Sequence, residues 1–253
     1  MSPPSIHPKT DILRTAPIIL IHRTPGRRQG WKEEAEWLQG LRRRLPRAIW
    51  NNFTTFPSTK WPSPTRIPYR FRPHAFSKGQ KRWIRKGLAM IEEKTCLRFQ
   101  ELAVTPKGGF IDFLPYQEPK GCGFAELGYR GPTRKNIVAI GCFHKEVGIV
   151  QHEVLHALGA WHEHVRPDRA HFLRLHTRAI PPGRSGQYLR FNFSEEEQYT
   201  LPTPYDLRSV MHYRANGVIS ARRKAWNSVI GQRRDLSPFD ADAINKLYCA
   251  END

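Results

Sequence analysis

The sequence predicts an α+β fold, and three observations carry that expectation. Four segments place apolar residues at helical spacing, and three others look like strands, among them the β-branched Asn136–Gly141. The two kinds are mixed without a regular strand–helix–strand alternation. At 253 residues, 39% hydrophobic and 25% charged, the chain can bury a sizeable core and is unlike a disordered, collagenous or coiled-coil protein. Its longest apolar run, Ala16–Ile21, is far short of the roughly 20 residues a membrane span needs.

The elements follow in order. Residues 1–47 have little pattern beyond an expected short helix over Trp31–Arg44, with Trp31, Ala35, Leu38 and Leu41 on one side. Prolines at 57, 62, 64, 68 and 73 exclude helix from Ala48 to Pro73 and favour extended segments or edge strands. Ser77–Thr95 is the first strong helix, with Ser77 as N-cap and Trp83, Ile84, Leu88 and Ile91 as its stripe. Leu97–Leu102, Phe110–Leu114 and the β-branched Asn136–Gly141 are expected strands. Val147–Ala160 is a second helix, apolar on several faces and so expected to be buried, and Asp240–Tyr248 is a third.

Forty-one Lys and Arg against 23 Asp and Glu give a net charge of +18. Such a balance first suggests a polyanionic partner. Residues 1–47 hold ten of the basic and four of the acidic residues, +6 in all, and the remaining +12 is spread over the rest. There is no run of six like charges and no DNA- or RNA-binding signature, so the expectation is a solvated basic surface and no nucleic acid. The four cysteines, 96, 122, 142 and 249, include no CxxC pair. Their even number suits two disulfides and an oxidising compartment, and four buried thiols remain the alternative.

The chemistry centres on His152-Glu153-Val154-Leu155-His156. Residues four apart share a helix face, about 6 Å apart along the axis, so both imidazoles can hold one tetrahedral metal ion. Glu153 can then stand beside the metal and polarise a water. A lone HExxH is equally compatible with an inert pair of helix histidines. Gly159 and His162 follow at intervals of three. Glycine can end the helix in the left-handed conformation and let the chain turn His162 toward the same ion. Three neutral imidazoles leave one zinc position open, as in a catalytic site, though cobalt or copper would also accept them.

The longer string HEVLHALGAWHEHVRPDR, His152 to Arg169, resembles the astacin family of zinc metalloendopeptidases, which are metzincins. The family's extended signature is matched by Glu163, Arg166, Asp168 and Arg169. A second match, Ser209-Val-Met-His-Tyr213, is similar to its Met-turn. IPYRF at 67–71, TCLRF at 95–99, GCG at 121–123 and the INKLYC ending at Cys249 also look like family landmarks. The resemblance runs from Ala48 to Cys249. It implies a metzincin-type, two-lobed catalytic domain over 48–253, with a twisted, mixed and mostly parallel sheet and the zinc helix at the cleft floor. Residues 1–47 would be a basic, poorly ordered pro-like segment.

The resemblance further implies one Zn2+ per chain on His152, His156 and His162, with Met211 as an apolar floor. Glu153 would be the general base and Tyr213 the oxyanion donor. The disulfides it implies are Cys96–Cys249 and Cys122–Cys142. Strand Asn136–Ile140 resembles the family's upper cleft rim, whose free edge could pair with an extended peptide. Cleavage between Arg47 and Ala48, after the R-x-x-R run Arg44–Arg47, would free a terminus to pair with Glu163. No FxGD stretch precedes Ala48, and Asp11 is the only aspartate there, so an aspartate latency switch is not implied. His144, His164 and His176 are expected to be ordinary polar or surface residues, His212 to make a structural hydrogen bond, and Trp161 to pack. Arg214 is a candidate for the pocket beyond the cut bond, weighed against a solvated arginine.

The expected activity is endopeptidase hydrolysis of protein or peptide substrates, and the rival is an inactive, zinc-stabilised basic binding module. The chain is expected to be secreted and monomeric, although no signal peptide is legible: Met1-Ser-Pro-Pro-Ser lacks a basic start and Pro17 breaks Ala16–Ile21.

Overall fold

The computed structural model describes residues 50, 51, 53, 57–117, 121–143, 145–191 and 199–250. The helix expected over Trp31–Arg44, as well as Arg47, Ala48 and His144, lies outside them. In chain order the elements are β1 (Trp50–Asn51), β2 (Ile67–Phe71), α1 (Lys78–Glu92), β3 (Phe99–Glu101), β4 (Phe110–Pro115), β5 (Gly123–Ala125) and β6 (Lys135–Ile140). Then come α2 (Gly148–Ala157), β7 (Leu173–Leu175), β8 (Tyr199–Thr200), β9 (Ile219–Ala221) and α3 (Pro238–Ile244). This is the expected α+β arrangement.

The main sheet has five strands in the order β3-β2-β4-β6-β5. Four run parallel, and β5 alone is antiparallel, pairing Gly123 with Ile140 and Ala125 with Val138. Two expectations change here. Proline-bearing β2 is an interior strand, not an edge. Pro68 is tolerated because pairing with β4 starts one residue later, at Tyr69 opposite Ile111, so its missing N–H has no strand to reach. And β6 is flanked by β4 and β5, so Asn136–Ile140 has no free edge; that edge belongs to β5. A 3-10 turn also forms at Pro57–Thr59, within the stretch expected to be free of helix. Pro57 opens it, where a missing N–H costs nothing.

Helix α1 begins at a reciprocal cap. Gln80 N–H donates to Ser77 Oγ (3.2 Å) and Ser77 N–H donates to Gln80 Oε1 (2.8 Å). Its stripe of Ile84, Gly87, Leu88 and Ile91 is buried, and α1 packs on α2. A Cβ at Gly87 would lie 2.6 Å from Val150 Cβ, so only glycine allows this approach. Ile67, Ile111, Phe113, Val138, Val154 and Leu155 fill the same apolar cluster.

The C-terminal helix starts earlier than expected, at Pro238, because Ser237 caps it by accepting from Asp240 N–H (3.0 Å). A π-helical turn, Asn245–Cys249, continues it. Disulfides join Cys96 to Cys249 and Cys122 to Cys142. Residues 173–230 build a second, smaller apolar cluster around Leu173, Tyr188, Tyr205 and Ile219. Among the described residues no helix is long and apolar enough to cross a membrane.

Candidate active site

Helix α2 supplies His152, Glu153 and His156. Gly159, at φ +106°, ends it; its N–H donates to His156 O (2.9 Å) and the next, Ala160 N–H, donates to Leu155 O (2.9 Å). The turn carries His162 back beside the helix. His152 Nδ1–H donates to Val210 O (2.8 Å) and His156 Nδ1–H donates to Ala160 O (2.7 Å). Carbonyls can only accept, so both rings must present a bare Nε2 lone pair. His162 Nε2 lies 3.1 Å from that of His156 and 3.3 Å from that of His152. Bonds of 2.0–2.1 Å to a tetrahedral centre would space ligand nitrogens about 3.3–3.4 Å apart. Burial pushes His156 down to about 4 and His152 and His162 well below the ordinary imidazole range, so the rings stay neutral. Three imidazole lone pairs facing one another at this distance call for a cation, and the three residues fit one.

Glu153 points beside the triad rather than into it. Its side chain is buried against β5, where a Cβ at Gly123 would stand 2.5 Å from Glu153 Oε1. Burial pushes its carboxyl up to about 8, against the pull of Arg233. The ring of Tyr213 lies 4.5 Å from that of His162 and 4.0 Å from that of His164. Burial also raises the Tyr213 phenol. His164, expected to be an ordinary polar or surface residue, is the former and not the latter. It is fully buried under Tyr213, with Nε2 at 2.9 Å from Gln187 O and Nδ1 without a partner. His176 bonds Ser220 Oγ at 3.0 Å and is exposed.

The Met-turn lies beneath. Asp240 accepts from Ser209 Oγ–H (2.7 Å) and Val210 N–H (2.8 Å), and Met211 is buried in the main apolar cluster. Val210 therefore links the α3 cap to the ring of His152. His212 is held from both sides: Nδ1–H donates to Tyr213 O (2.6 Å) and Tyr205 Oη–H donates to Nε2 (2.9 Å).

Past the triad, Arg166 is wholly buried and donates twice to Asp168 (2.9 and 2.7 Å). It also pairs with Glu163 Oε1 at 3.2 Å. Asp206 N–H donates to the same oxygen (2.8 Å). Burial still pushes Glu163 up to about 8, although Arg166 and that amide favour its ionised form.

His152, Glu153, His156, His162 and Tyr213 all line one cavity of about 1540 Å3, with the free β5 strand along its side. Trp161 lines it as well as packing on Phe191, and donates to Asn51 Oδ1 (3.0 Å). Arg214 reaches its wall, 61% exposed and paired with Glu146 at 2.7 Å. The sequence reading missed β5, Arg184 and Arg233. A three-residue strand is too short for periodicity, although the glycines at 121, 123 and 128 mark it. Nothing local distinguishes the two arginines.

The sequence model of the peptidase family Astacin matches residues 53–249. The chain belongs to the astacin family. It is 34% identical over 194 residues to zinc metalloproteinase nas-30 of Caenorhabditis elegans, covering 72% of this chain and 24% of that protein. It is 32% identical over 201 residues to nas-10 of the same worm, covering 75% and 36%. The chain thus spans about a quarter to a third of these relatives. Among solved structures it resembles high choriolytic enzyme 1, a hatching enzyme zinc-protease from the medaka fish Oryzias latipes. That match has 31% identity and a TM-score of 0.63, covering 76% of this chain and 94% of that one. This astacin-family chain shares the metzincin fold, and the family implies zinc. Three neutral imidazoles at tetrahedral spacing are a donor set that suits it.

Proposed function

We propose that the chain is a zinc-dependent endopeptidase with one Zn2+ held by His152, His156 and His162. The observation that carries this reading is the meeting of three imidazole lone pairs, a buried carboxyl and a phenol in one cavity beside a free strand edge. Zinc, when bound, supplies a Lewis acid that polarises the scissile carbonyl and acidifies a water. Glu153 takes the water's proton and passes it to the leaving amine. Burial, which favours the protonated carboxyl, supports Glu153 while it carries that proton between the two transfers. Tyr213, kept protonated by its raised pKa, donates to the oxyanion. The main chain of Gly123–Ala125 pairs with an extended substrate.

The same reading makes the protein a secreted monomer acting on protein or peptide substrates, with 48–253 as the catalytic domain. Cleavage between Arg47 and Ala48 would free an ammonium to pair with Glu163.

Peptide-library cleavage with and without a chelator tests the activity. Glu153→Gln should retain about one zinc per chain and lose activity by about 10²–10⁴-fold. Near-normal turnover in that variant would place the base elsewhere. A zinc-loaded wild type that cut no peptide would leave the inactive binding module instead.

A further inference from the structure

The site above leaves most of the +18 charge unused. Part of it converges on a second cavity, of about 670 Å3, where β4 and β6 begin. Arg70, Lys107, Arg130, Arg134 and Lys135 line it, together with Glu126. Behind the wall, Asp112 is fully buried and meets three cations: Arg70 at 3.1 Å, Arg72 at 3.1 Å and Lys135 at 3.5 Å. Glu126 reaches Arg130 only at 3.9 Å, and its other oxygen accepts from Ile137 N–H (2.8 Å). Among the described residues, Lys107 and Arg134 are exposed and have no carboxylate partner. Six cations thus face two carboxylates. The group is also built rather than loose: Arg70 is held by Asp112 and Thr105 and lies over the Phe110 ring, 5.1 Å from its centroid.

The second cavity adjoins the cleft. Ile137 lines both. Strand β5 starts at Gly123, against Glu153, and ends at Ala125, one residue before Glu126. A peptide paired with that edge advances about 3.3 Å per residue. Its residues roughly three to six places from the reacting bond therefore arrive at the cations. A cluster with surplus positive charge beside a peptide track recognises carboxylates by attraction and by guanidinium hydrogen bonds.

We propose that this cavity is a subsite for an acidic stretch of the substrate polypeptide, three to six residues from the bond that is cut. The inference rests on the endopeptidase reading, and the test separates the two. Quenched fluorescent peptides would share one cleavable sequence drawn from a library. One would carry four Glu on its N-terminal side and one on its C-terminal side, since either strand direction can pair with an edge; matched peptides would carry four Gln. For the zinc-loaded protein, one Glu peptide should exceed its Gln control about tenfold in kcat/KM, mainly through KM. The ratio should fall toward one at about 1 M salt, where the Debye length is about 3 Å, and in the double variant Lys107→Glu, Arg134→Glu. Equal rates for Glu and Gln peptides would overturn the subsite and leave the peptidase standing. So would a Glu advantage that survives the double variant. If no peptide were cut, the endopeptidase reading would fail. Anisotropy of a labelled Glu tract, wild type against double variant, would still decide whether the cavity binds it. Binding of a sulfated oligosaccharide with none of the peptide would overturn the proposal in favour of a glycan site.

Discussion

Residues 67–158 and residues 163–236 form the two sides of the cleft by different means. The first region is a sheet and two helices whose geometry follows from apolar packing: Ile67, Ile84, Ile111, Phe113 and Leu155 are all fully buried. The second has only short ladders and 3-10 turns. Beside its small apolar cluster, its chain is held by named polar contacts, with Arg166 between Glu163 and Asp168, and Asp206 tied to the α3 cap at Ser237. One side can shift a side chain and keep its shape. The other has partners that cannot be exchanged singly, because removing one strands a buried charge.

The largest break should come from Arg166→Met. It keeps most of the volume but leaves Glu163 and Asp168 buried without their shared cation, which should cost about 3–5 kcal/mol in denaturant unfolding. Hydrogen exchange should rise across 163–236 while the sheet amides stay protected. Equal loss in both regions would show that they unfold as one and erase the distinction.

A smaller effect tests the apolar side. Gly87→Ala improves helix propensity by about 1 kcal/mol but drives a methyl to 2.6 Å from Val150 Cβ. Overpacking of this kind costs about 1–3 kcal/mol, so a net lowering of Tm is expected. A rise in Tm would mean that α1 and α2 are looser than the structure has them.

The smallest effect depends on pH. Burial, aided by the neighbouring Asp206, pushes Asp240 up to about 6, and Asp206 is itself raised. The folded chain therefore holds a proton more tightly than the unfolded chain between about pH 4 and 6, and the pair costs stability as pH climbs through that window. Asp206→Asn removes the like charge. Relative to wild type, the variant should gain on the order of 1 kcal/mol between pH 4 and 6, one pKa unit being about 1.4 kcal/mol. Parallel stability curves for the two proteins would show the pair to be uncoupled.

The same division explains what could be read in advance. Helix α1 was legible because Ser77 and a four-residue stripe agree. Strands β4 and β6 were legible from β-branched and aromatic runs. The histidine spacing and Gly159 gave the turn that brings His162 to His152 and His156. Strand β5 was not legible, since three residues around Phe124 have no period, and the rim was therefore assigned to β6. The burial of His164 was not legible because it depends on Tyr213 and Gln187, distant in sequence. Contacts of that kind leave no local pattern, and they dominate residues 163–236.

The Cys96–Cys249 bond also makes most of the molecule a covalent ring. Its ends are 153 positions apart in sequence, and the ring includes the triad, Glu153, the Met-turn and Tyr213, while β2 and α1 precede it. A chain that meets peptidases runs the risk of being nicked. One cut in that ring adds a water and releases nothing: the two pieces stay joined at their far ends and migrate together until a reductant parts them. Damage to the backbone is thereby separated from loss of parts.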